Sequence, residues 1–218
     1  MAGGSGTRFW PVSRYNYPKQ CINITGDNSM VKEAVERLIP IIDYKNIYIV
    51  TGYHLYNAIK KDLPDANFIL EPMPKNTAPC IGLSILHILC KDPEAIVVIE
   101  TADHYYKDEK LYHKHILAGV RYTTTHDKIC LIGIKPSYPA TGYGYIQLGT
   151  IIEDNEIQIY SVQQFVEKPC IDDAKKYIVS GTYLWNSGIF IAKARVILDE
   201  ISKYMPGLYA GLKKLYPV

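Results

Sequence analysis

Two continuous apolar runs, AIVVIE at 95–100 and KICLIGI at 128–134, flank the helical pattern EKLYHKHILAGVRYTTT at 109–125. A strand that is apolar at every position has both faces covered. Strand, helix and strand in that order, with a long crossover, is the unit of a parallel sheet. The same alternation fills the chain before it. SMVKEAVERLI (29–39) places Met30, Val31, Ala34, Val35, Leu38 and Ile39 on one helical face. The strand-like run NIYIVT (46–51) follows, then the helical YHLYNAIKKDL (53–63), the strand-like NFIL (67–70) and the helical NTAPCIGLSILHILCKD (76–92). Pro79 falls in the first turn of that last helix, where proline is tolerated.

Past about residue 140 the texture changes. YGYIQLG (143–149) and QIYSVQQFVEK (158–168) alternate more and read as antiparallel strands. A helix at 171–180, the strand YLWNSGIFIA (183–192) and a helix from Ala194 complete the pattern. The expected fold class is α/β, with a mixed, mostly parallel central sheet flanked by helices, Rossmann-like in its layering.

Several function classes are excluded or disfavoured. A net charge of +2 gives no global case for nucleic-acid binding. No apolar run approaches the ~20 residues of a membrane span, and the first residues lack the apolar stretch of a secretory signal. The five cysteines are odd in number, widely spaced and without a C-x-x-C pair, so neither a zinc site nor a disulfide framework is indicated. They read as buried apolar thiols, and a cytoplasmic location is expected.

In open α/β sheets, ligands sit beyond the carboxyl ends of the strands. Glu71-Pro72, Asp103-His104, the turn from Pro139 to Gly144, and Glu167-Lys168-Pro169 all fall at such ends. The opening MAGGSGTRFWPVSR adds glycines at 3, 4 and 6 beside Arg8 and Arg14. Exposed backbone N–H groups next to guanidinium groups suit a phosphate; a flexible, charged terminus is the other reading. The stretch is neither a P-loop, which needs a following lysine, nor a dinucleotide fingerprint, whose third glycine is Phe9 here.

GGSGTRFWPVSR, YPKQ (17–20), EPMPKNTAPCIGL (71–83), ADH (102–104), TGYGYI (141–146), FVEKP (165–169) and WNSGIF (185–190) occur in this order. Together they resemble the mannose-1-phosphate guanylyltransferases, within the nucleotide-diphospho-sugar transferase fold. The resemblance implies transfer of GMP from GTP to mannose 1-phosphate with Mg²⁺, giving GDP-mannose and pyrophosphate. It implies that Gly3, Gly4, Ser5, Gly6 and Thr7 cradle the triphosphate. Arg8 would face the leaving pyrophosphate and Lys19 the α-phosphate. Glu71, Pro72, Asn76 and Thr77 would line the guanine pocket, where a carboxylate accepts from the two adjacent N–H donors of the base. Asn76 is equally a helix cap by residue type. Asp103 would hold the metal, with His104 structural and His113 and His115 on a helix surface. Tyr143, Gly144, Glu167, Lys168, Asn186 and Gly188 would meet the sugar phosphate, the two glycines leaving it space; a buried structural Glu–Lys pair is the bland alternative.

Two departures qualify these implications. Family members carry an apolar strand before the Gly-rich loop and a second metal-binding aspartate after the last helix, and the chain shows neither. One nucleotidyltransferase domain over 1–218, incomplete at both ends, is therefore expected. A catalytically silent sugar-nucleotide-binding relative and a transferase for another hexose 1-phosphate remain open. So does the oligomeric state, a homodimer included. No nucleic-acid or membrane partner is expected.

Overall fold

The computed structural model describes residues 1–4, 9–14, 18–24, 27–73 and 75–215. Helix α1 (Met30–Leu38) begins where the Ser29 hydroxyl accepts from Lys32 N, a side-chain cap. Strand β1 (Tyr48–Gly52), helix α2 (Tyr53–Asp62) and strand β2 (Asn67–Glu71) form a parallel β-α-β unit, with Tyr48 opposite Asn67 and Gly52 opposite Glu71. Helix α3 (Thr77–Leu89), strand β3 (Ile96–Ile99), helix α4 (Glu109–Thr125) and strand β4 (Cys130–Ile134) follow. Strands β5 (Gly144–Asp154) and β6 (Gln158–Glu167) make an antiparallel hairpin, from Gly144 opposite Glu167 to Asp154 opposite Gln158. Helix α5 (Ile171–Ser180), strand β7 (Tyr183–Lys193) and helices α6 (Ala194–Tyr204) and α7 (Pro206–Leu215) end the fold.

The sheet is mixed, as expected, but its antiparallel share is larger than the local pattern suggests. Strand β7 lies antiparallel to β3, β4 and β5 alike. The run at 128–134 is corrected by this result. It pairs antiparallel with β7 and is half-buried rather than covered on both faces. One side of it opens into a groove of about 780 Å³ between α4 and the β5–β6 hairpin.

Met1 and Ala2 join the two sets of ladders. The Met1 amine donates to Glu100 O at 2.6 Å, and Ala102 N donates to Met1 O at 3.0 Å. That is the bonding of a parallel pair centred on Thr101. On the other side Ala2 N donates to Val50 O at 2.8 Å, and the Thr51 hydroxyl donates to Ala2 O at 3.0 Å.

Helices cover both faces. Val31, Ala34, Val35, Leu55, Ile59, Tyr112 and Ile116 pack with Ile49, Ile189 and Ile191 in one core. Ile85, Leu86, Ile197, Ile201 and Leu212 pack with Val97 and Ala192 in the other. The alternation runs through neighbouring residues of β7: Ile191 and Ala192 are both 0% exposed and point to opposite cores. The cysteine expectation holds for Cys21 and Cys80, whereas Cys130 is half-buried and Cys90 and Cys170 are exposed.

Ile191→Ala should test this arrangement. Truncating a fully buried isoleucine typically costs ~2–5 kcal/mol. The chain should lose that much in urea unfolding; a loss well below this range would mean that β7 is not the packed centre of the sheet.

Candidate functional site

Strand β7 has two edges. Strand β4 follows one of them from Ile191 to Trp185. The other is shared: β3 pairs with Phe190–Lys193, and β5 with Tyr183–Trp185. Between these partners, Asn186 to Ile189 make other bonds. The Ser187 hydroxyl donates to Ile132 O at 2.7 Å, Gly188 N donates to Asn186 Oδ1 at 3.1 Å, and Ile189 N donates to Ser187 Oγ at 3.2 Å. Gly188 has φ +78° with open space where a Cβ would stand, so backbone conformation is what demands glycine there. Strand β3 runs out toward this gap and β5 starts from it, because both oppose β7 in direction. The turn carrying Asp103 and the first residue of β5, Gly144, are thereby brought to the same end of the sheet.

Lys19, in a short 3-10 turn at Lys19–Cys21, reaches across to Asp103, with Nζ 2.5 Å from Oδ2. Burial pushes the Asp103 carboxyl up. The hydrogen bond and charge of Lys19, together with a hydrogen bond from Thr101, outweigh it and hold the group below its ordinary value. The next residue, Gln20, was not singled out in the sequence beyond its place in YPKQ. It is 1% exposed, and its amide donates to Gly3 O at 2.6 Å and to Gly4 O at 3.3 Å. Gly4 takes φ +99°, which only glycine adopts freely. Gln20 thus fixes the start of the Gly-rich loop. Ser5, Gly6, Thr7 and Arg8 lie outside the described residues.

Glu71 ends β2 and is 7% exposed. A Cβ on Gly3 would lie 3.6 Å from its carboxylate, so the glycine loop and Glu71 adjoin. Burial raises the Glu71 carboxyl above its ordinary value, against a hydrogen bond from Cys80 and the charge of the Met1 amine. Pro72, Asn76 and Thr77 are exposed beside it. The capping expectation for Asn76 is corrected. It stands at the N-cap of α3 with no side-chain cap bond, because φ is +54° and ψ is −177°. A positive φ in a residue other than glycine is uncommon and clusters at functional sites. Among the described residues Lys168, at φ +46°, is the other case.

Lys168 N donates to Tyr143 O at 3.2 Å, which closes the turn before β5 onto the end of β6. Tyr143 is half-exposed and packs edge-on to Trp185 at 5.2 Å. Glu167 and Lys168 pair at 2.8 Å in the open, at 57% and 62% exposure, so the buried structural pair does not exist. Gly144 is buried against its neighbours. A Cβ there would lie 2.8 Å from both the Glu167 carboxylate and the Phe165 ring, so the glycine makes room for the chain's own side chains. His104 bonds Thr101 and Tyr106, in line with a structural role. His113 is half-buried and bonds Arg37 O at 2.7 Å, so it ties α4 to α1 rather than lying free on the surface.

Asp103 supplies hard oxygen atoms. Among the described residues no group of three or more His, Cys, Asp and Glu converges as a metal cage. That donor set suits Mg²⁺, which takes one or two carboxylates and completes its shell with phosphate oxygens and water.

Comparison with known proteins matches residues 1–216 to the family described as nucleotidyl transferase. A mannose-1-phosphate guanylyltransferase from Escherichia coli is 36% identical over 212 residues, covering 95% of this chain and 45% of that protein. The chain thus spans under half the length of the curated relatives it matches. A crystal structure described as mannose-1-phosphate geranyltransferase from Thermus thermophilus superposes with a TM-score of 0.89 at 27% identity, covering 99% of this chain and 62% of that one. One described as mannose-6-phosphate isomerase from Helicobacter pylori has a TM-score of 0.76 at 25% identity, covering 97% and 77%.

The two carboxyls make opposite contributions to stability. A carboxyl raised by folding, such as Glu71, favours the folded state below its unfolded value, and this is lost as pH rises through the folded value. Glu71→Gln removes that loss. The melting temperature of the variant should therefore gain on the parent as pH rises from about 4 to about 7. A difference that stays constant across this range would mean that Glu71 ionises without cost.

Proposed function

This chain belongs to the nucleotidyl transferase family, and we propose that it acts in the transfer of GMP from GTP to mannose 1-phosphate. The observation that carries the reading is the convergence of the Gly3–Gly4 backbone, Lys19, Asp103 and Glu71 at the carboxyl ends of β1, β2 and β3, beside the gap in β7. Its relatives' names point to the same sugar phosphate.

In this reading an oxygen of mannose 1-phosphate attacks the α-phosphorus in line. A P–O bond forms there, and the bond to the β-phosphate breaks with its electrons leaving on pyrophosphate. Such a reaction needs positioning and neutralised charge more than covalent help. Glycine backbone at residues 3–7, with Arg8, would hold the triphosphate. Lys19 would leave Asp103 and meet the α-phosphate as a point charge. Mg²⁺ held by Asp103 would supply charge neutralisation on the phosphate oxygens.

Glu71 would select the base. Guanine offers two adjacent N–H donors to a carboxylate, and burial strengthens those bonds. Asn76 and Thr77, at the exposed start of α3, would line the pocket mouth with Pro72. On the sugar side Glu167 and Lys168 are exposed and orientable. Glu167 would accept from sugar hydroxyls, and Lys168 would meet the sugar phosphate. Tyr143, Asn186 and the backbone at Gly144 and Gly188 would form the floor beneath them.

Pyrophosphate release from GTP and mannose 1-phosphate tests the reading. Asp103→Asn should lower turnover by roughly 100-fold or more, the scale of losing one preorganised charge contact. Glu71→Gln should reduce the preference for GTP over UTP by roughly ten- to a hundredfold, since an unpaired buried donor costs ~1–3 kcal/mol. Activity that survives Asp103→Asn, or an unchanged nucleotide preference in Glu71→Gln, would contradict the respective assignment.

A further inference from the structure

We propose that a bulge in β7 locks the Asn186 amide with its NH2 end free, and that this donor and the Glu167 carboxylate together read one hydroxyl of the sugar. The proposal rests on the sugar phosphate binding at the gap; Ser187 and Gly188 are positioning residues in it.

The bulge is visible in the strand register. Leu131 lies opposite Phe190, yet Gly133 lies opposite Asn186. A single residue of β4, Ile132, therefore faces Ser187, Gly188 and Ile189 together. Bulges re-aim side chains and are common beside active sites. Here the extra length folds onto its own side chains. The Ser187 hydroxyl donates to Ile132 O at 2.7 Å and accepts from Ile189 N at 3.2 Å. Gly188, at φ +78°, turns its N–H onto Asn186 Oδ1 at 3.1 Å.

That last bond settles the orientation of the amide. A backbone N–H can only donate, so the atom it meets is the Asn186 oxygen. Among the described residues nothing accepts from the NH2 end, and Asn186 is half-buried. A ligand therefore meets a donor there.

The register also fixes the neighbours of Asn186. Gly133 is its partner on β4. On the other edge Tyr145 pairs with Trp185, so the preceding residue of β5, Gly144, comes alongside Asn186. Gly144 in turn pairs with Glu167 of β6. Residues directly opposite one another in a sheet share a face. Asn186 and Glu167 thus stand on one face, two strand spacings or about 10 Å apart, with a glycine between them. The Glu167 carboxylate already reaches over that glycine, with Oε2 lying 2.8 Å from where a Gly144 Cβ would be. One side offers a donor and the other an acceptor. A hydroxyl, which gives one proton and takes another, is complementary to both at once. An ionised phosphate oxygen, which only accepts, is not.

The test starts with the unaltered chain. Amide hydrogen exchange followed by NMR should show the Gly188 N–H protected, and Asn186→Ala should release it. Rapid exchange at Gly188 in the parent overturns the lock whatever the variants do. Binding of mannose 1-phosphate and its deoxy analogues, with α,β-methylene-GTP already bound, is then read by calorimetry. Asn186→Asp keeps an oxygen for Gly188 and removes the donor. It should weaken mannose 1-phosphate roughly ten- to a hundredfold, the scale of one lost hydrogen bond in a site built for it. Ser187→Ala should quicken Gly188 exchange and weaken mannose 1-phosphate more than it weakens the nucleotide. The deoxy analogue that lacks the hydroxyl being read should bind the parent and Asn186→Asp alike. An Asn186→Asp penalty that is equal for every analogue, or absent, overturns the donor–acceptor reading alone. A parent that binds no mannose 1-phosphate overturns the sugar reading of the gap and this inference with it.

Discussion

Strand β7 has to satisfy three neighbours, and its two edges are not used alike. On one edge β4 follows it from Ile191 to Trp185; on the other, β3 and β5 share the length between them. Backbone groups must be paired when buried, and at 186–189 the strand turns to its own side chains and to Ile132 instead. Divergence of neighbouring strands is where an open α/β sheet makes its crevice. Ile189, Ile191 and Ala192 are completely buried between the two helical layers, so the strand has no freedom to close the gap. The register of β3 and β5 on β7 brings the turn after β3 and the first residue of β5 to that gap.

Electrostatics then divides the carboxylates. Burial raises both Asp103 and Glu71, but the balance differs. Lys19, with its ammonium in direct contact, wins at Asp103. At Glu71 the thiol of Cys80 and the Met1 amine are too weak, and burial wins. The thiol itself is pushed up to about 11 and stays protonated, a donor to its neighbour. One site therefore holds a carboxylate kept charged, suited to cations and phosphate chemistry, and another that ionises reluctantly and gains most from a ligand that donates to it.

Much of this was legible in the sequence. Strand ends are visible from apolar runs, so Glu71 and Asp103 were found by position alone, and α4 runs over the residues that the periodicity marks. What was not legible depends on pairs far apart in the chain. Local periodicity does not say that a strand at 183–193 pairs with one at 130–134 along one edge and with those at 96–99 and 144–154 along the other, so the antiparallel share of the sheet and the gap in β7 escaped. Gln20 had only its neighbour Lys19 as a signal. Asn76 looked like a cap by residue type, but a positive φ turned it out of that role. The close quarters of Gly144 and the open setting of the Glu167–Lys168 pair were not legible either, because sequence does not report exposure. Thr101, His104 and Tyr106 carry no motif as a group; their relation exists only through hydrogen-bond geometry.

The central claim is that phosphate chemistry takes place between the Gly3–Gly4 backbone and Asp103, over the gap in β7, and that Lys19 changes partner to permit it. A crystal structure of the chain with GDP-mannose and Mg²⁺ tests it most directly. The account predicts the diphosphate between Gly4 and Asp103, Lys19 Nζ on a phosphate oxygen instead of on Asp103, guanine against Glu71 and the sugar toward Glu167 and Asn186. A ligand bound away from the gap, with the Lys19–Asp103 pair intact, would contradict it.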